Sequence, residues 1–128
     1  MYQYRGKLKR VIDGDTFDIE LDLGFYITHQ IRVRLKDVDT PEIWRPENEY
    51  ELDHARAAKA FVEGLVAEDN YVEVQTYKDR GTSFGRFVAD VCVRTPSGEM
   101  ADLKDLIVER GMVKLESYDR PYTAEGAK

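Results

Sequence analysis

The sequence predicts an α+β, mostly β domain: a five-stranded Greek-key OB-fold barrel with a helix between strands 3 and 4 and a short helix after strand 5. Three observations carry that expectation. Phe17, Ile19, Leu21 and Leu23 alternate with Asp18, Glu20 and Asp22, and Ile31, Val33 and Leu35 alternate with Arg32, Arg34 and Lys36. A period of two puts the apolar side chains on one face of a strand. Residues 52–67 instead carry Ala55, Ala58, Phe61, Val62, Leu65 and Val66 at helical spacing. Finally, three strands, a helix and two more strands is the order in which a small barrel of this kind closes.

Taken in order, Leu8, Lys9, Arg10, Val11 and Ile12 read as a first short strand, and Asp13-Gly14-Asp15 as a turn. The second strand follows from Phe17 and is broken by Gly24. A hairpin leads to the third, with its basic side chains on one face. The stretch from Ile43 to Tyr50, which holds Pro46 and Asn48, reads as a surface loop before the helix. Tyr71 to Tyr77 makes the fourth strand, Lys78 to Gly85 a turn or loop, and Phe87 to Val93 the fifth strand. After the turn Thr95-Pro96-Ser97-Gly98, residues 102–110 form the short helix, with Leu103, Leu106 and Ile107 inward and Gly111 at its stop. The expectation is one domain over residues 1–128, with residues 115–128 a short tail that is disordered or truncated.

Composition narrows the function. Apolar residues make up 42% and charged residues 34% of 128 residues, a balance that suits a globular domain with a real core. No apolar run reaches the roughly 18–20 residues that cross a bilayer, so no membrane is expected. Met1 to Arg5 shows no apolar segment of a secretory signal, which gives a cytoplasmic expectation unless a leader has been removed. The net charge of −6 argues against an indiscriminate nucleic-acid binder, yet it leaves room for an enzyme that grips a polyanion at one patch. Cys92 is the only cysteine, which rules out an intrachain disulfide and suggests a packed thiol in a strand.

Two acidic clusters carry the chemistry, Asp13-Gly14-Asp15-Thr16 and Asp39-Thr40-Pro41-Glu42, with Arg34 just before the second. Their oxygens are hard donors, and a guanidinium stands close by in sequence. If the fold brings the clusters together they make a hard-cation site beside an anion-stabilising group. Those are the parts of a metal-assisted phosphodiesterase. The bland alternative is that the acids are turn formers and that Arg34 is one of three solvated bases on a strand face. His29 reads as a loop residue, His54 as solvated or locally hydrogen-bonded, and Trp44 as a packing residue.

The chain resembles staphylococcal-nuclease-type (thermonuclease) domains from about Gly6 to Lys114. The resemblance rests on Val11 to Thr16, Val33 to Glu42 and Phe84-Gly85-Arg86, in that order on an OB-like pattern. It implies a calcium-dependent endonuclease that hydrolyses phosphodiester bonds of DNA or RNA and leaves 3′-phosphates. By the same resemblance one Ca2+ is held by Asp15, Asp39 and the backbone carbonyl of Thr40. Glu42 orients or deprotonates the attacking water, and Arg34 and Arg86 grip the phosphate. The pattern departs at Ser83-Phe84-Gly85-Arg86, where the family commonly has Lys-Tyr-Gly-Arg. Lys78 and Arg80 are the candidates to compensate from the same loop. Tyr118, with Tyr122 as a second choice, is the candidate to face the nucleotide. A monomer with a nucleic-acid substrate and no obligate protein partner is expected. The alternative is a catalytically weak module of the same fold that binds nucleic acid or protein. Such a module has no need of Asp15, Asp39 and Glu42 together with both arginines.

Overall fold

Burial follows the alternation read from the sequence. Along β2 (Thr16–Asp22), Phe17, Ile19 and Leu21 are buried while Asp18 and Glu20 are only partly covered. Along β3 (Thr28–Leu35), Ile31, Val33 and Leu35 are buried and Arg32 is exposed. The structure is a computed structural model and describes residues 2–76 and 87–122. Its other elements are β1 (Tyr2–Asp13), α1 (Glu49–Leu65), β4 (Tyr71–Thr76), β5 (Phe87–Arg94), β6 (Met100–Asp102) and α2 (Leu103–Glu109).

The strands run β3-β2-β1-β4-β5-β6, and parallel pairing of β3 with β5 from Val33–Phe87 to Leu35–Ala89 closes five of them into a barrel. Every other pairing is antiparallel. Phe17, Ile19, Val33, Val72, Val74 and Val91 fill the interior, each at most 1% exposed. Their close packing gives the barrel a definite shape. Among the described residues no helix is long and apolar enough to cross a membrane.

Three differences from the sequence reading have local causes. The first strand starts at Tyr2, not Leu8, and pairs with both β2 and β4. Register shifts at Leu8/Arg10 and Val11/Asp13 bend it, as bulges do. Gly6 sits where β1 passes over β2: a Cβ there would lie 2.6 Å from the carbonyl oxygen of Glu20, so any side chain would force the strands apart. A short sixth strand after the Thr95–Gly98 turn pairs with β5 from Cys92–Asp102 to Arg94–Met100. Three residues are too few to show a period of two. Lastly, α1 begins at Glu49, because Asn48 caps it by accepting from the amides of Tyr50 and Glu51.

α1 packs beneath the barrel through Ala58 and Val62, and α2 through Leu103 and Ile107. Residues 115–122, expected as part of a loose tail, instead pack against α1 through the buried Tyr118. Residues 123–128 lie outside the described residues.

Candidate functional site

The turn between β1 and β2 and the segment leaving β3 meet at one corner of the barrel. The carbonyl of Asp15 accepts from the amide of Leu35 at 2.8 Å, which stitches the turn to the end of β3. Side chains then bind it to the next loop. Asp15 Oδ2 accepts from the amide of Thr40 at 3.0 Å, and Asp13 Oδ1 accepts from the amide of Ile43 at 3.0 Å. Asp15 Oδ1 also accepts from Thr16 Oγ1 at 2.9 Å. Small groups permit the approach: a Cβ on Gly14 would lie 3.1 Å from both Ala58 and Thr40.

Arg34 stands opposite Thr16 in the β2–β3 register. Its Nη2 is 3.0 Å from Asp39 Oδ1 and 3.7 Å from Asp15 Oδ2. The two carboxylate oxygens are therefore no farther apart than those two distances laid end to end. Their surroundings differ. The Asp15 side chain is 7% exposed and that of Asp39 is 63% exposed.

The loop beyond Pro41 is held from behind. Glu51, in the first turn of α1, is buried, yet its carboxylate has partners on both oxygens. Oε2 accepts from the amide of Glu42 at 3.1 Å, and Oε1 from that of Glu47 at 2.7 Å. Lys114 Nζ lies 3.6 Å from Oε2. Burial, the largest single influence, works against the Glu51 charge. The amides of Glu47 and Glu42 and the Lys114 ammonium together outweigh it and hold the carboxyl below its ordinary value. Lys114 also donates its amide to the carbonyl of Asp39 at 2.8 Å. Asn48 completes the fastening by donating from Nδ2 to the carbonyl of Tyr118 at 2.7 Å.

Several sequence-predicted residues are thus brought together: Asp15, Arg34, Asp39 and Thr40 share one corner. Glu42 follows directly, its backbone fixed and its side chain exposed. Arg86, Lys78 and Arg80 lie outside the described residues. Tyr118 does not face a substrate. It is 1% exposed, and its hydroxyl bonds His54 Nδ1 at 2.8 Å and accepts from the amide of Leu115 at 3.0 Å. A ring enclosed in this way offers no face to a base. His54 is not solvated either: its Nε2 lies 3.1 Å from the carbonyl of Gly111, which only accepts. The proton therefore sits on Nε2, and Nδ1 accepts from Tyr118. Burial pushes the imidazole down, against weaker opposing pulls from the Gly111 carbonyl and Glu51. Tyr122 stacks on His54 with ring centres 4.1 Å apart.

Trp44, expected to pack, is 79% exposed, because its loop is pinned by backbone bonds instead of a buried ring. His29 is exposed as expected but lies in β3, not in a loop. Burial, then the carboxylates of Asp102, Glu73 and Asp90, push the Cys92 thiol up, which disfavours the thiolate.

The donor set at the corner suits a hard cation. Among the described residues no group of three or more His, Cys, Asp or Glu is placed to hold a metal. Two carboxylates converge there beside Thr40, whose buried Oγ1 has no hydrogen-bond partner among the described residues. Carboxylate, carbonyl, hydroxyl and water oxygens are the ligands that Ca2+ accepts in irregular geometry. Sequence reasoning missed Glu51, Lys114 and Asn48 as the supports of this corner. The signal for two of them was present in Asn48 followed three residues later by Glu51, the spacing of a capping box.

A family model described as staphylococcal nuclease homologue matches residues 32–127. It covers Arg34, Asp39, Thr40 and Glu42 but begins downstream of Asp15, whose tie to the corner is a matter of geometry. No curated protein matches the chain.

Proposed function

The chain belongs to the staphylococcal nuclease homologue family, and we propose that it is a calcium-dependent phosphodiesterase that cleaves DNA or RNA. One observation carries the reading: the carboxylates of Asp15 and Asp39, from separate turns, converge on a single guanidinium. Two acids drawn to one cationic group make a site where a divalent cation is at home.

Asp15, Asp39 and the Thr40 carbonyl would hold the ion. When bound, Ca2+ supplies a Lewis acid for a phosphoryl oxygen and a place for water beside it. Glu42 would be the base for that water; its exposed carboxylate stands one peptide beyond Pro41. Arg34 balances both acids, and with their charge met by an ion it offers its fork to two phosphate oxygens. There it answers the charge that grows as the phosphorus is attacked. Arg86 is assigned the same task by its place in the motif with Phe84 and Gly85. Asp13 has a supporting part, since it fastens Ile43 and thereby the loop that carries Glu42.

The test is supercoiled plasmid, and separately a single-stranded RNA, incubated with the protein and Ca2+, with and without chelator. Cleavage that needs Ca2+ and stops with chelator is expected. Intact substrate under all conditions, together with retained oligonucleotide binding, points instead to a binding module.

A further inference from the structure

We propose that Glu51 is a positioning residue for catalysis, presetting Glu42 through the backbone of the loop that carries it. The inference rests on the nuclease reading above. It is drawn from how that loop is held.

The loop from Glu42 to Glu47 has little apolar burial of its own. Trp44 is exposed, Ile43 is only partly covered and Arg45 has a left-handed backbone with φ of 67°. Nothing there packs well enough to fix an exposed carboxylate to within a fraction of an ångström. What fixes it is polar. The two oxygens of one buried carboxylate grip the amides at both ends of the loop, Glu42 and Glu47. Asp13 holds Ile43 between them.

Burying a carboxylate is costly unless it is fully partnered. For helix capping alone Asn48 already suffices, since it accepts from two amides of the first turn. Glu51 therefore spends its burial on the loop. Lys114 ties the same point to the other half of the site, because its ammonium faces Glu51 while its amide holds the carbonyl of Asp39. The Asp39 side of the corner is thus held by a backbone amide of Lys114, while the Glu51 carboxylate itself holds the loop that carries the base. A base displaced by about 1 Å can lose around 100-fold in rate.

The experiment combines Glu51→Gln, Glu42→Gln and the double variant with amide hydrogen exchange. Glu51→Gln keeps the shape but turns an NH2 toward one of the two loop amides. The expected kcat is about 10- to 100-fold below wild type, with Ca2+ affinity unchanged. The double variant is expected to be no slower than Glu42→Gln alone, because Glu51 acts only through Glu42. Exchange at the Glu42 and Glu47 amides is expected to quicken while that of β2 and β3 stays as it was. Should Glu51→Gln fail to fold, Glu51→Asp, which keeps the charge but is too short to reach both amides, is read in the same way. The proposal is overturned if the double variant loses a further factor, or if loop exchange does not change. If wild type cleaves nothing, the nuclease reading fails and the catalytic role of Glu51 is overturned with it, while loop exchange still shows separately whether Glu51 holds the Glu42–Glu47 loop.

Discussion

Asp15 and Asp39 approach the same Arg34 guanidinium, but one belongs to the barrel and the other to a loop laid across it. Asp15 is enclosed, with each side-chain oxygen taking a hydrogen bond and its carbonyl locked to β3. Asp39 is open to solvent, and its backbone is held by Lys114 from the C-terminal segment. The barrel half is placed by apolar packing that any β-rich sequence advertises. The loop half is placed by scattered polar anchors on α1 and beyond α2. If the proposed ion binds here, one of its acids is enclosed by the barrel and the other is open to solvent.

The largest effect is expected on the loop side and on activity alone. Glu42→Gln should lower turnover by about 100- to 10,000-fold while the thermal midpoint stays put, because the side chain is exposed. Initial rates of plasmid nicking beside a circular-dichroism melt will show whether the two quantities separate. The mirror-image change is on the barrel side. Phe17→Ala empties a fully buried position and should cost about 3–5 kcal/mol, read from urea midpoints. A loss below about 1 kcal/mol would mean that the interior is far less tightly packed than its burial indicates.

An intermediate effect is expected where the two halves are fastened together. Asn48→Ala removes the helix cap and the bond to Tyr118 and should cost about 0.5–2 kcal/mol. Limited proteolysis between Ile43 and Glu47 should speed up in the same variant, with the barrel remaining resistant.

The smallest effect is a pH dependence confined to the fastening. The His54 carried down by burial is neutral in the fold, whereas the unfolded chain takes up a proton below about pH 6.5. Its contribution is complete above that value and is lost as pH falls further. Glu51, also held below its ordinary 4.5, contributes above that pH and loses its contribution as pH falls through its folded value. Urea midpoints measured from pH 8 down to 2 should decline in two stages, one below about pH 6.5 that is absent in His54→Gln and one below 4.5 that belongs to Glu51. A midpoint that rises on acidification between pH 7 and 5 would contradict the sign for His54, and one that rises below pH 4.5 the sign for Glu51.

The same contrast explains what the sequence made legible. Strands β2, β3 and β5 declare themselves because one face is buried and the other wet, as Phe17, Ile19 and Leu21 against Asp18 and Glu20 illustrate. The first half of β1 does not, since Tyr2, Gln3 and Arg5 are exposed and the buried Gly6 has no side chain to signal with. The meeting of Asp15, Arg34 and Asp39 was anticipated because all three flank strand ends that barrel closure brings to one corner. Tyr118 was misplaced because the segment around it has no periodicity, and an aromatic there is equally at home in the interior or against a ligand. Glu51 reads along the chain as an ordinary acid of an amphipathic helix. Its spacing from Asn48 marks it as a capping acid at most, and its contacts with Glu42 and Glu47 show what it holds.

The most direct measurement is a calorimetric Ca2+ titration of wild type, Asp15→Asn and Asp39→Asn. One ion per chain is predicted, with affinity falling at least about tenfold in each variant, as expected when a charged ligand of a hard cation is neutralised. Wild-type binding that persists unchanged in either variant, or no binding by the wild type at all, would contradict a shared ion between the two turns.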